Sequence, residues 1–207
     1  MDLMVFVDNI AFSLFAISFA GFILLYAIVD VYLAYRKKKK DFSEYLKGAS
    51  LPLAVIGVYM LSMGLWGQFV WPLPSSYNIL FYDPFIAFGM VLLSYSLAVR
   101  LGGGIDYAGF LGMMVGVMTI IYGIEGYGIG LTSEPIALLA MYFFFGIAGI
   151  FSFPVSLIME RLPGLEKNVW WGWYAVLIIF FVSLFFASAL AGLVGTLAIP
   201  QHLLKAP

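Results

Sequence analysis

Residues 9–47 read NIAFSLFAISFAGFILLYAIVDVYLAYRKKKKDFSEYLK, and this stretch decides the fold class. Between Ile10 and Tyr35 the only charged residue is Asp30. A helix needs about 20 apolar residues to cross roughly 30 Å of hydrocarbon, and this run exceeds that. It stops on Arg36, Lys37, Lys38, Lys39 and Lys40, a cluster that the bilayer interior disfavours strongly.

Working outward, the same pattern recurs along the whole chain. Six apolar stretches fall near residues 9–35, 50–70, 83–100, 105–127, 135–159 and 169–197. They are separated by RKKKKDFSEYLKG, WPLPSSYN, RLGGG, GYGIGLTSEP and ERLPGLEK, all rich in charge, Gly or Pro. Of the 207 residues, 64% are hydrophobic and 10% charged, against roughly 25% charged in a soluble domain. The expected fold is an all-α integral membrane protein of six transmembrane helices, with residues 1–207 forming one domain.

Basic residues set the direction. Arg36 to Lys40 and Lys47 follow helix 1, Arg100 ends helix 3, and Arg161 and Lys167 follow helix 5. All fall on one side, and only Lys205 lies opposite. By the positive-inside rule that side is the cytoplasm. The expected location is the plasma membrane, with both termini extracytoplasmic. Asp2 and Asp8 precede the first apolar run where a cleavable signal would carry basic residues.

Several function classes are disfavoured at once. There is no cysteine, and the single histidine is His202, so no metal site or cofactor is expected. A net charge of −1 offers no footprint for nucleic acid. No HExxH, nucleophile elbow or Walker loop is present. No catalytic residue is assigned, and the chain is not expected to be an enzyme.

The odd-numbered helices open alike: Asp8-Asn9-Ile10-Ala11, Asp83-Pro84-Phe85-Ile86-Ala87 and Glu134-Pro135-Ile136-Ala137. This repeat reads as three hairpins, helices 1–2, 3–4 and 5–6, about a pseudo-threefold axis normal to the membrane. An acid at a helix start accepts from unpaired N–H groups and meets the positive end of the dipole. Proline suits the first turn because it lacks an N–H. Asp8, Asp83 and Glu134 are thus read as helix caps that could also ring an outer vestibule.

Glu125 gains nothing from capping at the C-terminal end of helix 4. With Trp66 and Gln68 near the outer end of helix 2, it joins the same vestibule or pore. Asp30, about one and a half turns before Arg36, is expected to hydrogen-bond a neighbouring helix or to join a local ion pair with Arg36 or Lys47, the alternative being a proton or ion relay, and Asp106 is expected to cap helix 4. Arg36, Lys37, Lys38, Lys39 and Lys40 are expected to touch anionic lipid. Gly112, Gly116, Gly146 and Gly149 mark helix surfaces that can approach closely.

Phe81-Tyr82-Asp83-Pro84, followed by Ser94-Tyr95-Ser96 and a short inner turn, sits within a layout of three successive hairpins. On these features the chain resembles the urea/amide channel family of bacterial inner membranes. It is also similar to small six-helix membrane proteins of archaea. The channel resemblance implies a passive conduit for a small polar solute. That family lines its pore with tryptophans along helix 5, where this chain has Met141, Tyr142, Phe143, Phe144 and Phe145. The expected function is a channel or facilitator for a small polar or neutral solute, acting as a homo-oligomer or within a membrane complex. The alternatives are a non-catalytic accessory subunit and a cation-binding membrane protein.

Overall fold

The computed structural model describes residues 9–37, 43–74, 76–132, 134–161 and 171–204. Six helices account for nearly all of them: α1 (Asn9–Arg36), α2 (Ser43–Val70), α3 (Ser76–Leu101), α4 (Asp106–Gly128), α5 (Pro135–Arg161) and α6 (Trp171–Leu204). Each is long and apolar enough to cross a membrane. Their outward faces are as apolar as their inward ones: Phe19, Val55, Ile121, Ile178 and Phe185 are all exposed. An apolar surface of this extent suits a membrane or another apolar surface.

Consecutive helices pack side by side, and α6 returns to α1 to close a ring. Short connections make neighbours antiparallel, so one end of the ring carries Arg36, Lys37, Lys47 and Arg100. We call it the basic end. The pairs read as hairpins from the repeat are adjacent, but the tightest packings are α4 on α5 and α2 on α3, which are joined at the opposite end.

Small residues explain where the helices come closest. At Gly116 a Cβ would lie 2.5 Å from the Gly146 carbonyl oxygen and 2.5 Å from the Ile150 nitrogen. At Gly149 it would lie 2.6 Å from the Gly116 Cα. The four glycines expected to allow close approach therefore do so, within the chain, between α4 and α5. Gly57 and Gly89 bring α2 against α3, and Gly21, facing Ser188, brings α1 against α6.

Two helices begin earlier than their apolar runs. α2 starts at Ser43 rather than near residue 50, because its polar first turns continue the helix beyond the apolar stretch. α3 starts at Ser76 rather than at Asp83. Asp83 is therefore two turns inside α3 and does not cap it. Glu134 does directly precede Pro135, the first residue of α5, so the shared acid–Pro motif occupies different positions in the two helices. Asp8 lies outside the described residues.

The cap of α4 also differs from expectation. Asp106 is the first helical residue and makes no side-chain capping bond. Instead Glu160, from the end of α5, accepts from the Ile105 amide and from the Asp106 amide at 3.1 Å. A carboxylate there meets two unpaired donors and the positive end of the α4 dipole. Glu160→Ala is expected to cost about 1 kcal/mol, measurable as a lowered midpoint of thermal denaturation in detergent. Glu160→Gln, which keeps an acceptor, should lose less. Asp30 joins neither expected partner among the described residues. Arg36 donates instead to the Tyr32 hydroxyl at 3.3 Å, and Arg100 donates to Ser50 at 2.7 Å.

Candidate functional site: an axial column of cavities and its polar bracket

The site begins with a proline. Inside a helix, Pro84 cannot donate to the carbonyl four residues earlier, so Leu80 loses its helical partner. Tyr142 of α5 replaces it, its hydroxyl donating to the Leu80 oxygen at 2.6 Å. Both residues are buried. A buried carbonyl left unpaired costs about 1–3 kcal/mol, and this cross-helix bond lets α3 extend through Asp83-Pro84 without interruption.

Asp83 is satisfied from both sides. Gln68 of α2 donates through Nε2 to Oδ1, and the Tyr122 hydroxyl of α4 donates to Oδ2 at 2.5 Å. Exposed Ile79, Met90 and Leu97 mark the outward stripe of α3, and Asp83 lies on that stripe one turn after Ile79. The carboxylate thus bridges three adjacent helices from the ring's periphery. One turn earlier, fully buried Asn78 donates to the Gly67 carbonyl at 3.0 Å and accepts from the Leu73 amide at 3.3 Å. It secures the α2–α3 turn, where Trp71 takes a left-handed φ of 51°.

Inside the ring, three cavities follow one another along the axis. The first, at the end opposite the basic residues, is lined by Ser13, Leu14, Phe81, Thr119, Met141 and others, with a volume of about 40 Å³. The second, of about 80 Å³, is lined by Ala20, Gly21, Met60, Ala148 and Leu184 among others. The third, toward the basic end, measures about 90 Å³ and reaches Tyr95, Ile105, Val155 and Met159. Ile17, Phe88 and Phe145 line both the first and the second. Leu24, Val91, Leu92, Ser152 and Phe180 line both the second and the third. The shared walls make the three a column.

Each volume exceeds the roughly 10–15 Å³ that one water needs, yet the walls are almost wholly apolar. The hydroxyls nearby are largely committed to backbone: Thr119 to Val115, Ser156 to Phe153, and Ser152 within reach of Gly109 and Gly149. The wall shared by the first two cavities is partly aromatic. Phe88 of α3 and Phe145 of α5 face each other across the axis with ring centroids 5.5 Å apart. Such a column can hold small uncharged molecules, and it offers nothing to replace an ion's hydration.

The sequence candidates separate accordingly. Asp83 and Gln68 come together in one hydrogen bond. Trp66 is half-buried, while Glu125 and Glu134 are exposed at the end opposite the basic residues. None of these five lines any of the three cavities. At the basic end Arg36 and Lys37 are exposed, and Lys38, Lys39 and Lys40 lie outside the described residues. Among the described residues no group of three His, Cys, Asp or Glu could hold a metal ion.

Sequence reading missed Tyr122, Tyr142, Phe88 and Phe145. One signal was available for Tyr142: a proline inside a long apolar run implies a freed carbonyl, which some donor must satisfy. The phenylalanines had no local signal, being two among the 20 phenylalanines in the chain.

No curated protein and no solved structure matches the chain. Residues 4–205 match the family described as "Protein of unknown function (DUF981)". Since that match runs over nearly the whole length, the chain belongs to the DUF981 family.

Proposed function

We propose that this protein is a membrane-embedded channel or facilitator for a small neutral solute. In this reading the helices span the plasma membrane with the basic end in the cytoplasm and both termini outside. The observation that supports it is the column of three cavities with shared walls along the ring axis. Apolar walls favour uncharged solutes, because desolvating an ion at membrane depth is costly. The sequence carries no nucleotide-binding motif, which favours passive movement down a gradient.

Two parts of the bundle take different roles. Asp83, Gln68 and Tyr122 brace α2, α3 and α4, so the acid serves the scaffold rather than the path. Phe88 and Phe145 act as the shutter, and their rings must separate for a solute to pass from the first cavity to the second. Glu125 and Glu134 sit outside this path.

Solute-dependent swelling of proteoliposomes tests the reading, with water, glycerol, urea and short amides compared against empty liposomes. Permeation above the control is expected for at least one neutral solute. Phe145→Ala should raise that rate about two- to tenfold, the effect of removing the roughly 0.5–1.5 kcal/mol of an aromatic pair from the barrier. Thermal denaturation of the same preparation establishes that the variant is folded. Rates equal to empty liposomes across the panel, for both wild type and Phe145→Ala, would sink the channel and favour an accessory subunit.

A further inference from the structure

We infer that the groove between α1 and α6 at the basic end binds an anionic phospholipid of the adjoining leaflet. The inference rests on the membrane-spanning reading and not on permeation, so the two stand or fall separately. The groove opens on the ring's outer face and has a volume of about 280 Å³, larger than any of the three axial cavities. Its floor is apolar, built from Ile28 and Val29 on α1 and from Ile178, Phe181 and Val182 on α6.

Its mouth has a different chemistry. Tyr32 and Tyr174 form the rim, one turn from the end of α1 and in the first turn of α6. From Tyr174 to Val182 the helix advances about 12 Å, so the groove runs from the level of head groups into the acyl region. Arg36 stands over the rim, its guanidinium donating to the Tyr32 hydroxyl at 3.3 Å, and exposed Lys37 follows it. A guanidinium carries five N–H donors in a fixed fork suited to phosphate, and that single bond uses one. The first turn of α6 adds the positive end of its dipole at the same level.

A long apolar slot capped by cations and phenols is complementary to one acyl chain ending in a phosphodiester. A second copy of this chain fits less well. Two copies in the same membrane orientation, related by a twofold axis along the normal, would bring two Arg36–Lys37 pairs together at one height. A lipid without net charge would fill the slot and leave the cations uncompensated.

The test is native mass spectrometry of the purified full chain in detergent, titrated with phosphatidylglycerol or phosphatidylcholine of identical chains. The wild type is expected to retain one phosphatidylglycerol at about tenfold lower concentration than phosphatidylcholine, given two cations near the head group. The double variant Arg36→Gln/Lys37→Gln should lose that preference while still retaining either lipid weakly. Ile178→Trp, which fills the slot, should reduce retention of both. Glycerol phosphate, the head group without chains, should not raise the denaturation temperature. Equal retention of the two lipids by wild type, or an unchanged preference in the double variant, would overturn the proposal. Equal stabilisation by glycerol phosphate would assign a free-anion site instead. A lipid-free dimer at every lipid concentration would assign the groove to a second copy. If Ile178→Trp does not fold, the double variant and glycerol phosphate decide the matter alone.

Discussion

Gly116→Ile is expected to abolish the folded bundle or to leave it far less stable than wild type, by about 3 kcal/mol or more. The reason is that no side chain exists between the two helices at this point. The first added carbon would already stand 2.5 Å from two backbone atoms of α5, the Gly146 oxygen and the Ile150 nitrogen. Backbone cannot rotate aside as a flexible side chain can, so α4 and α5 must separate along their length. Separation would also remove Ser152 from the Gly109 carbonyl, which it meets at 2.9 Å, and open the wall shared by two of the cavities. Against a typical net stability of roughly 5–15 kcal/mol, such a loss is decisive. Thermal denaturation in detergent and the yield of monodisperse protein measure it. Gly48→Ala is the control, since a Cβ there meets nothing within 4 Å. Inside α2 that change should be neutral or stabilising by about 0.5–1 kcal/mol, through backbone entropy and helix propensity. If Gly116→Ile melted like wild type, the α4–α5 backbone contact would not exist.

Tyr142→Phe is expected to destabilise the protein by about 1–3 kcal/mol, the cost of leaving a buried acceptor unpaired. Loss of the hydroxyl strands the Leu80 carbonyl, which Pro84 cannot serve. The double variant Pro84→Ala/Tyr142→Phe distinguishes this account from a simple loss of packing. Alanine at position 84 restores an N–H four residues after Leu80, and the helix can then close its own bond. The second change should therefore recover part of what the first loses, a coupling read directly from a double-mutant cycle. Pro84→Ala alone is expected to be mild, because Tyr142 and the new amide can both address one carbonyl with two lone pairs. Additive losses in the cycle would mean that Tyr142 acts through its volume and not through its hydroxyl.

These two cases differ in how far they could be read from the chain. The glycines at 112, 116, 146 and 149 stand at spacings that permit close approach, and spacing along a helix survives folding unchanged. The Asp83-Pro84 pair misled for the opposite reason. Locally it has every property of a helix start, an acid followed by a proline. What overrides it is Tyr142, 58 positions away and unconnected to it by any local rule. Asp106 is a similar case: it is a suitable capping residue by type, but Glu160 arrives from another helix and accepts from the amides instead.

Helix number and helix polarity at the two ends needed no tertiary information. They follow from the length and apolarity of each run and from the charges that end it, which each segment carries by itself. The early starts of α2 and α3 did need it: the first turns of α2 are polar yet helical, and α3 runs on through an acid–proline pair that reads locally as a start. The column of cavities belongs wholly to the tertiary structure. Phe88 and Phe145 meet because α3 and α5 face one axis, and their sequence positions resemble those of many other rings in the chain. A single sequence determines what each segment can be surrounded by, because that depends on its own composition. Which side chains share a cavity, and which donor reaches a stranded carbonyl, depends on how six nearly uniform apolar surfaces pack, and only the folded ring decides that.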